Sequence, residues 1–547
     1  MTINAPKMNA RVLMRIAAIV IAAGVIGWQW WGRDHAQAPA ADDAGSVAAT
    51  ASAPPASPAA VAPASTAPRK PAAPEKLVMG KLTLTACQLK QPHSAVTTPA
   101  FCGKFPVPEN RADPDSRTID LKLAIIKSDS AVPARDLVVY LAGGPGQSAI
   151  ETYPEMAPAF APLLKHHDLL LLDQRGTGGS HPLTCPDVEK ELDKFTDAAP
   201  DSARMTEMIG KCAAEVEKTA DPRYYTTTDA VADLEAVRQA LGAPELDLVG
   251  VSYGTRMAQH YAGAHPDAVR SIVLDGVVPN QLVLGESFAE ALEHSLKLQS
   301  EACNAAPACK KRFGDWLATL HQLHAKLEVA PPQQVTFADP YSYKPVTRKL
   351  SADTLAGVVR FFSYSAATAA LLPLAVDEAA HGNYAPLMGQ AKLLTSGVSQ
   401  SMQGGMQFSV VCSEDASLLK PRPQDKDTIL GSSMIDDLLA ACKAWPHAAA
   451  PKDFHAPFRS SIPTLLISGE RDPVTPPSNA AEVLKGLSNG RSLVVAGLGH
   501  AEPINAGCMP DLVDDFVASL QPEKLDAKCL KRIGPVPAFV DFNGAAP

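Results

Sequence analysis

The sequence predicts an α/β fold in which a mostly parallel sheet is covered by helices on both faces. Short apolar strands alternate with helix-like segments over the first half of the chain, and this alternation resumes after Ile462. Strands that are separated by helices build a parallel sheet whose two faces are buried. Between Pro279 and Ile462 the pattern becomes largely helical, which predicts an insertion into the fold.

The elements of the first core segment follow from apolar runs and their period. The segment Thr118–Ile126 alternates in polarity and is therefore predicted to lie at an antiparallel edge of the sheet. Apolar runs predict buried strands at 136–141, 168–173, 245–249 and 271–275. A helical period of apolar residues predicts a helix at 229–241. His166 and His167 are interpreted as strand-edge residues rather than metal ligands.

A Gly-x-Ser-x-Gly pentapeptide, Gly250-Val251-Ser252-Tyr253-Gly254, joins the strand at 245–249 to a helix predicted at 255–263. Glycines permit a sharp strand-to-helix reversal that lifts the serine hydroxyl away from the backbone. A bare match to this pattern is often chance in a long chain, but the strand before it and the helix after it supply the required context. We predict that Ser252 is a nucleophile.

Two later segments supply partners for this serine. Such a nucleophile needs an imidazole to take its proton and a carboxylate to hold that imidazole in the right tautomer. Asp472 follows the apolar strand that begins at Ile462, and His500 lies on a glycine-rich loop after the next strand. The order serine, acid, histidine is that of the α/β-hydrolase fold. Asp275 is the rival acid, ranked second because Asp472 lies on the strand nearer in sequence to the histidine loop.

An oxyanion hole requires two backbone N–H groups near the nucleophile. Tyr253, which directly follows Ser252, is predicted to supply one of them. The other is expected from the loop Gly143-Gly144-Pro145-Gly146, which follows the strand at 136–141. Gly144 is the predicted donor and Gly143 the alternative; without the pentapeptide this loop would read as an ordinary Gly-Pro turn.

Three motifs together resemble those of one enzyme family: Gly143-Gly144-Pro145-Gly146, Asp173-Gln174-Arg175-Gly176-Thr177-Gly178-Gly179-Ser180 and Gly250-Val251-Ser252-Tyr253-Gly254-Thr255. They are similar to those of the proline iminopeptidase and tripeptidyl aminopeptidase family of α/β-hydrolases, and the match extends from about 105–110 past His500. The resemblance implies a serine exopeptidase acting on free peptide N-termini. Many members carry histidine where this chain has Ala142. Tyr253 and the cysteine content are closer to the secreted tripeptidyl type.

An exopeptidase needs a group that binds the free ammonium of its substrate, and a carboxylate does this through a charge-assisted hydrogen bond. The segment Val410-Val411-Cys412-Ser413-Glu414-Asp415 resembles a Cys-x-acid element of the family. This resemblance makes Glu414 the first candidate and Asp415 the second. The alternative interpretation is a pair of solvated surface acids.

The insertion is predicted to form a largely helical cap over Ser252. Helix-like segments occur at 287–301, 313–327, 354–363 and 366–381, with a Cys303–Cys309 loop between the first two. Because the insertion lies between the strands that carry the two candidate acids, it would close the pocket and exclude folded proteins. An independent helical domain far from the site is the alternative. The expected core segments are 76–279 and 462–547, and the expected cap is 280–461.

The N-terminal residues carry an export signal. Lys7, Arg11 and Arg15 precede an uncharged stretch at 16–31, a bias that keeps the first residues cytoplasmic and exports the rest. As a helix this stretch spans roughly 24 Å, short of the ~30 Å hydrocarbon core, which favours a cleaved signal peptide within 1–38. Its tryptophans would instead suit a membrane anchor. The Ala/Pro-rich segment 39–75 is predicted to be a disordered linker.

Ten cysteines, an even number, accompany this signal and are expected to pair in the periplasm or outside the cell. Sequence does not define the connectivity, but neighbours give five compact candidates: Cys87–Cys102, Cys185–Cys212, Cys303–Cys309, Cys412–Cys442 and Cys508–Cys529. The chain has no C-x-x-C pair, which argues against structural zinc. A net charge of −9 without a basic, aromatic-rich stretch argues against nucleic acid as a partner.

These observations predict a serine aminopeptidase that releases short N-terminal fragments through an acyl-enzyme, with peptides as substrates and without a metal or organic cofactor. A carboxylesterase or lipase with the same three residues is the second hypothesis, and a non-catalytic binding protein on this fold is the third. The sequence leaves open the number of residues released per cut, the preferred side chain and the oligomeric state. Membrane contact is expected only through an uncleaved N-terminal segment.

Overall fold

A computed structural model of the chain describes residues 75–90, 97–186 and 202–545. The predicted signal peptide or anchor at 1–38, and the predicted linker up to its last residue, lie outside this part. No helix among the described residues is both long enough and apolar enough to cross a membrane. The two predicted core segments and the insertion between them fall in one compact unit.

The unit is organised around a ten-stranded sheet with the order β1-β2-β3-β4-β6-β5-β7-β8-β11-β12. The strands are β1 (Lys76–Met79), β2 (Leu82–Lys90), β3 (Thr97–Pro108), β4 (Thr118–Ile126), β5 (Leu137–Leu141), β6 (Asp168–Leu172), β7 (Leu246–Val251), β8 (Val269–Asp275), β11 (Thr464–Gly469) and β12 (Gly490–Val495). Every pairing from β6 to β12 is parallel. The predicted parallel sheet is confirmed.

The antiparallel side of the sheet is larger than the sequence indicated. Strand β4 pairs antiparallel with both β3 and β6, so its predicted antiparallel pairing is confirmed but its predicted edge position is wrong. Strands β1, β2 and β3 extend the sheet beyond it. They were missed because their residues are only partly buried, so their apolar pattern is weak.

Helices cover both faces of the sheet. In chain order the core helices are α1 (Ala149–Phe160), α2 (Ser202–Val216), α3 (Thr227–Leu241), α4 (Tyr253–Ala264), α14 (Pro477–Leu484) and α15 (Met509–Ser519). Alternate residues of β5 enter different cores, since Val139 packs with α3 and α4 whereas Val138 packs with α1 and α15. A central strand can be wholly apolar because each of its faces is buried.

The insertion contains the remaining helices and one hairpin. They are α5 (Phe288–Ala305), α6 (Pro307–Phe313), α7 (Trp316–Val329), α8 (Ala352–Phe362), α9 (Ala366–Ala369), α10 (Leu372–Ala380), α11 (Ala385–Ser401), α12 (Gly404–Glu414) and α13 (Ser433–Ala444), with the strands β9 (Gln333–Ala338) and β10 (Pro345–Leu350). The boundaries of the cap as a domain stay a prediction.

Two local predictions in the insertion are wrong. The Cys303–Cys309 segment is not a loop, because Cys303 lies in the last turns of α5 and Cys309 lies in α6. The single helix expected at 366–381 is divided into α9 and α10, and Pro373 lies in the first turn of α10. Proline is tolerated there because the first turn of a helix has no use for its missing N–H.

All five predicted disulfides are present and no cysteine is free. Cys87–Cys102 joins the adjacent strands β2 and β3, and Cys412–Cys442 joins the helices α12 and α13. Disulfides of this number form and persist in oxidising environments. The five disulfides therefore indicate an exported protein.

Candidate active site

Ser252 occupies a sharp turn between β7 and α4. Its φ of 56° and ψ of −125° lie in a region that a residue with a side chain rarely adopts. The neighbouring glycines are needed for space: a Cβ on Gly250 would lie 2.5 Å from the Gly254 carbonyl oxygen, and one on Gly254 would lie 2.1 Å from that of Leu141. This packing lets helix α4 begin directly against the sheet.

The structure brings together the three residues that the sequence singled out. His500 Nε2 lies 2.9 Å from Ser252 Oγ, and His500 Nδ1 lies 2.8 Å from Asp472 Oδ2. Asp472 also accepts hydrogen bonds from the backbone N–H groups of Val474 and Thr475, each at 2.8 Å. The hydroxyl of Thr475 donates to Asp472 Oδ2 at 2.8 Å. The acid is therefore held in place by its own turn.

The two partners shift each other's proton affinity. Although burial opposes ionisation of Asp472, the charge and hydrogen bond of His500 lower the pKa of this carboxyl below its usual value. Burial also disfavours the imidazolium, yet the charge and hydrogen bond of Asp472 raise the pKa of His500 above its usual value. The pair thus consists of a carboxylate that stays ionised and an imidazole whose basicity is increased.

Asp275, the rival acid, is placed differently. Its side chain is fully buried, and Oδ2 accepts a hydrogen bond of 3.3 Å from the Ile504 N–H. Its Oδ1 has no hydrogen-bond partner among the described residues. Burial raises the pKa of Asp275 to about 7. Its backbone carbonyl accepts from the N–H of Ser252 at 2.8 Å, so this residue supports the turn rather than binding His500.

The predicted oxyanion loop lies against the nucleophile. A Cβ on Gly143 would come within 3.0 Å of Ser252 Cβ, which shows how closely this backbone approaches. Gly144 has a φ of 108°, which favours glycine. Tyr253 is the first residue of α4, and the N–H groups of a first helical turn have no acceptor inside the helix. The backbone of Gly143, the alternative donor, thus lies against Ser252, and Tyr253 directly follows Ser252 in the chain.

Asp173 and Arg175 brace the loop beside the site. Asp173 accepts hydrogen bonds from Ser148 Oγ at 2.5 Å and from the N–H of Gly179 at 2.9 Å. The buried guanidinium of Arg175 donates to both carboxylate oxygens of Asp233, at 2.6 and 2.7 Å. These contacts keep the loop rigid because every charged group in it is paired.

Segments of the insertion contact both catalytic loops. The N–H of His500 donates to the Tyr364 carbonyl oxygen at 2.7 Å, and the two rings meet edge to face with centroids 5.1 Å apart. On the other side, the N–H of Gln403 donates to the Gly146 carbonyl oxygen at 3.0 Å. The insertion therefore lies beside the base and beside the oxyanion loop.

Glu414 and Asp415 are not solvated surface acids, so that alternative is wrong. Glu414 is 2% exposed; its carboxylate accepts from the Thr227 N–H at 2.6 Å and from the Thr227 hydroxyl at 2.9 Å. That hydroxyl lies 2.6 Å from Tyr253 Oη. Asp415 forms a buried ion pair of 2.9 Å with Arg256. Asp415 is thus neutralised, whereas Glu414 lies 4.0 Å from the same guanidinium.

The sequence did not predict four residues that contact the catalytic residues or their loops: Thr475, Tyr364, Gln403 and Thr227. Thr475 carries a weak signal, because a hydroxyl three residues after an aspartate often caps its turn. The other three lie on elements far from Ser252 in sequence and match no motif. The packing of the insertion onto the core brings Tyr364 and Gln403 to the site, and the packing of α3 beside α4 brings Thr227 there.

A second cluster of possible metal ligands lies at the other end of the sheet. Asp136, His167 and Asp247 lie at the beginnings of parallel strands, with ligand atoms within 4.8 Å of one another. His167 Nδ1 lies 2.7 Å from Asp136 Oδ2, and Arg270 Nη1 lies 2.8 Å from Asp247 Oδ1. Because Arg270 pairs with Asp247 and His167 lies within ion-pair distance of Asp136, we interpret this cluster as an ion-pair network.

The chain matches two protein families, one described as "alpha/beta hydrolase fold" over residues 136–301 and one described as "TAP-like protein" over residues 427–529. The first match includes Ser252, and the second includes Asp472 and His500. The regular alternation of parallel strands and helices agrees with the first description.

Three curated proteins illustrate the similarity. Serine protease Hip1 of Mycobacterium tuberculosis is 23% identical over 485 residues, which cover 81% of this chain and 90% of that protein. Tripeptidyl aminopeptidase of Streptomyces lividans is 25% identical over 474 residues, covering 80% and 85%. Proline iminopeptidase of Neisseria gonorrhoeae is 31% identical over 140 residues, covering 26% and 32%.

Proposed function

We propose that this chain, an α/β-hydrolase of the group that includes tripeptidyl aminopeptidase and proline iminopeptidase, is a serine aminopeptidase that releases short N-terminal fragments from peptides. The observation that carries the proposal is the hydrogen-bonded series Ser252, His500 and Asp472 at the carboxyl ends of parallel strands. The similarity to three peptidases over the same core supports a peptide rather than a lipid substrate.

The chemistry follows from the geometry of the three side chains. His500 Nε2 takes the proton of Ser252 as Oγ attacks the scissile carbonyl carbon, and the oxyanion that forms is stabilised by the N–H groups of Tyr253 and Gly144. Asp472 stabilises the imidazolium. As the C–N bond breaks, His500 protonates the leaving amine, and an acyl-enzyme remains. Water then attacks this ester while His500 takes its proton, which releases the N-terminal fragment and restores Ser252.

One assay separates the three functional hypotheses. The purified protein is incubated with a Pro-, an Ala-Ala-Pro- and an N-acetylated chromogenic amide, and with a short-chain nitrophenyl ester. Amide turnover that requires a free amine supports the aminopeptidase. Turnover of the ester alone would identify a carboxylesterase or lipase, and no turnover at all would point to a non-catalytic protein on this fold.

Glu414 is proposed to bind the ammonium of the substrate. Asp415 has its own counter-ion in Arg256, but Glu414 has no cation as close. Burial raises the pKa of Glu414 to about 8, because a carboxylate without a close counter-ion in a dry site is unfavourable. A substrate ammonium would supply the missing charge. The Thr227 hydroxyl connects this carboxylate to Tyr253, the residue after the nucleophile.

The variant Glu414→Gln is expected to raise KM for free-amino substrates about 10- to 100-fold, because one charge-assisted hydrogen bond is lost while the side-chain volume is kept. Steady-state kinetics on a free-amino peptide amide measure this change. The nitrophenyl ester, which has no amine, is the internal control and should be hydrolysed as by the wild type. Equal losses on both substrates would show that Glu414 acts on the fold and not on the ammonium.

The pH dependence of ester hydrolysis should report His500. The base works only when neutral, so kcat/KM is low below the pKa of His500 and rises as the pH passes through it. Since Asp472 raises that pKa, the midpoint of this rise is expected above pH 6.5. The ester is the right substrate because it carries no titrating amine, with Ser252→Ala as the blank. A midpoint clearly below 6.5 would contradict the proposed coupling of the two residues.

The place of action is proposed to be the periplasm or the exterior of the cell. Five disulfides support export, and the charge bias of residues 7–31 supports a signal peptide. Retention in a membrane would require that this N-terminal segment stays uncleaved. Cell fractionation followed by N-terminal sequencing of the mature protein distinguishes these two fates.

A further inference from the structure

A separate cavity lies between the insertion and the loops that carry the acid and the base. It has a volume of about 180 Å³, and its walls come from α5, α6, α9 and the C-terminal segment 535–538. Most lining side chains are alanine or proline; the polar ones are Gln299, Ser363 and Arg471. A cavity of about 150 Å³ is enough to hold benzene. This one is therefore large enough for a small organic molecule.

The guanidinium of Arg471 has no partner in the described part of the chain. Its Nε is buried and makes no hydrogen bond with a described residue, while the residue as a whole is partly exposed. The backbone is anchored, since the Arg471 N–H donates to the Leu498 carbonyl oxygen at 2.9 Å and its own carbonyl accepts from Ser295 Oγ at 2.6 Å. The adjacent Glu470 carboxylate accepts from the Gly497 N–H at 2.8 Å.

The buried side-chain oxygen of Gln299 receives no hydrogen bond from a described residue. Its Nε2 lies 3.1 Å from Ser295 Oγ and 3.4 Å from Ser363 Oγ. Both hydroxyls donate their proton elsewhere, to the carbonyl oxygens of Arg471 and Val359, so they can only accept from the amide. This fixes the orientation of the amide. Gln299 is 8% exposed, and its Oε1 has no hydrogen-bond partner among the described residues.

The guanidinium of Arg471 and the Oε1 of Gln299 line one small apolar cavity. Together they match a ligand that carries both a carboxylate and a hydrogen-bond donor. Guanidinium binds carboxylates through two parallel charge-assisted hydrogen bonds, and leaving the buried Nε of Arg471 without an acceptor is unfavourable. An ammonium group would satisfy Gln299 Oε1. The alanine and proline walls suit a short aliphatic side chain.

We propose that this cavity binds a free aliphatic α-amino acid, with its carboxylate on Arg471 and its ammonium on Gln299. The site is distinct from the catalytic one, because Ser252 does not line it. It lies close to that site all the same, since Arg471 precedes Asp472 and the lining residue Gly499 precedes His500. The inference does not depend on the substrate of the enzyme.

Isothermal titration with three matched probes tests the proposal. L-Valine carries both groups, L-valinamide lacks the carboxylate and 3-methylbutanoate lacks the ammonium. The wild type is expected to bind L-valine, to bind 3-methylbutanoate at least tenfold more weakly and to bind L-valinamide not at all. If the wild type binds none of the probes at millimolar concentration, or binds the amide as tightly as the acid, the proposal is wrong.

Variants then assign the binding to the cavity. Arg471→Met, which keeps the aliphatic stem, is expected to weaken L-valine binding at least tenfold, and Ala369→Leu is expected to abolish it by filling the cavity. Arg459→Met, which removes an exposed guanidinium, is the matched control and should bind normally. Thermal unfolding checks that each variant is folded. If Arg471→Met does not fold, the titrations of Arg471→Lys and Ala369→Leu with L-valine test the proposal in its place.

The same titrations separate this site from the proposed ammonium site. Binding of L-valine that survives Glu414→Gln but not Arg471→Met places the ligand in the cavity. Binding that is lost in Glu414→Gln and kept in Arg471→Met would place it at Glu414, which overturns the cavity proposal while supporting the proposed function.

Discussion

Replacing Ser252 by alanine is expected to reduce kcat by about 10⁴- to 10⁶-fold on both amide and ester substrates. Alanine removes the oxygen that forms the acyl-enzyme, and His500 is then left without a proton to take. The turn should persist, because alanine is smaller than serine and the surrounding glycines are unchanged. Steady-state and burst-phase kinetics of the purified variant measure the loss.

A second buried serine provides the control for this experiment. Ser468 lies in β11, is fully buried, and its hydroxyl makes no hydrogen bond with a described residue. Ser468→Ala should therefore keep wild-type turnover. If Ser252→Ala continued to cleave peptides at a comparable rate, the nucleophile would be a different group and the proposed mechanism would fail.

Asp472→Asn is expected to lower kcat by about 10⁴-fold. The amide nitrogen of asparagine cannot accept the hydrogen bond that the carboxylate accepts from His500 Nδ1, so the imidazole is held in the wrong tautomer. The contacts of Asp472 Oδ1 with the N–H groups of Val474 and Thr475 can persist through the amide oxygen. The variant should thus fold normally, which thermal unfolding checks.

Asp275→Asn is the matched comparison. Both carboxyls are fully buried near His500, but only Asp472 is within hydrogen-bond distance of the imidazole. Because the pKa of Asp275 is raised to about 7, a neutral amide resembles the form that this residue already adopts in part. We expect a loss in kcat of less than about tenfold. The reverse ranking of the two variants would identify Asp275 as the acid.

Much of the core could be predicted because its signals are local. The strand before Ser252, the glycines around it and the order of Asp472 and His500 lie in short segments whose physical requirements are visible in the residues themselves. Proximity in sequence gave five candidate disulfides without defining the connectivity, and the structure contains these five pairs.

The failures have a common physical cause. Strands β1, β2 and β3 are only partly buried, so apolar and polar residues do not alternate regularly along them. The sequence left open whether Glu414 and Asp415 are solvated. They are buried because helix α12 packs onto Thr227 and Arg256, which lie far away in sequence. A charged side chain gives no sign of its burial until its partner is known.

The sequence by itself determined the class of fold, five candidate cysteine pairs, and a serine, a histidine and two candidate acids proposed for catalysis, because each depends on short-range pattern and chain order. The tertiary structure alone decided which acid binds the imidazole, how Tyr364 and Gln403 of the insertion reach the catalytic loops, and that Arg471 and Gln299 share a cavity. These are contacts between segments that are distant in the chain, and their geometry is set by the packing of whole elements rather than by local residue preferences.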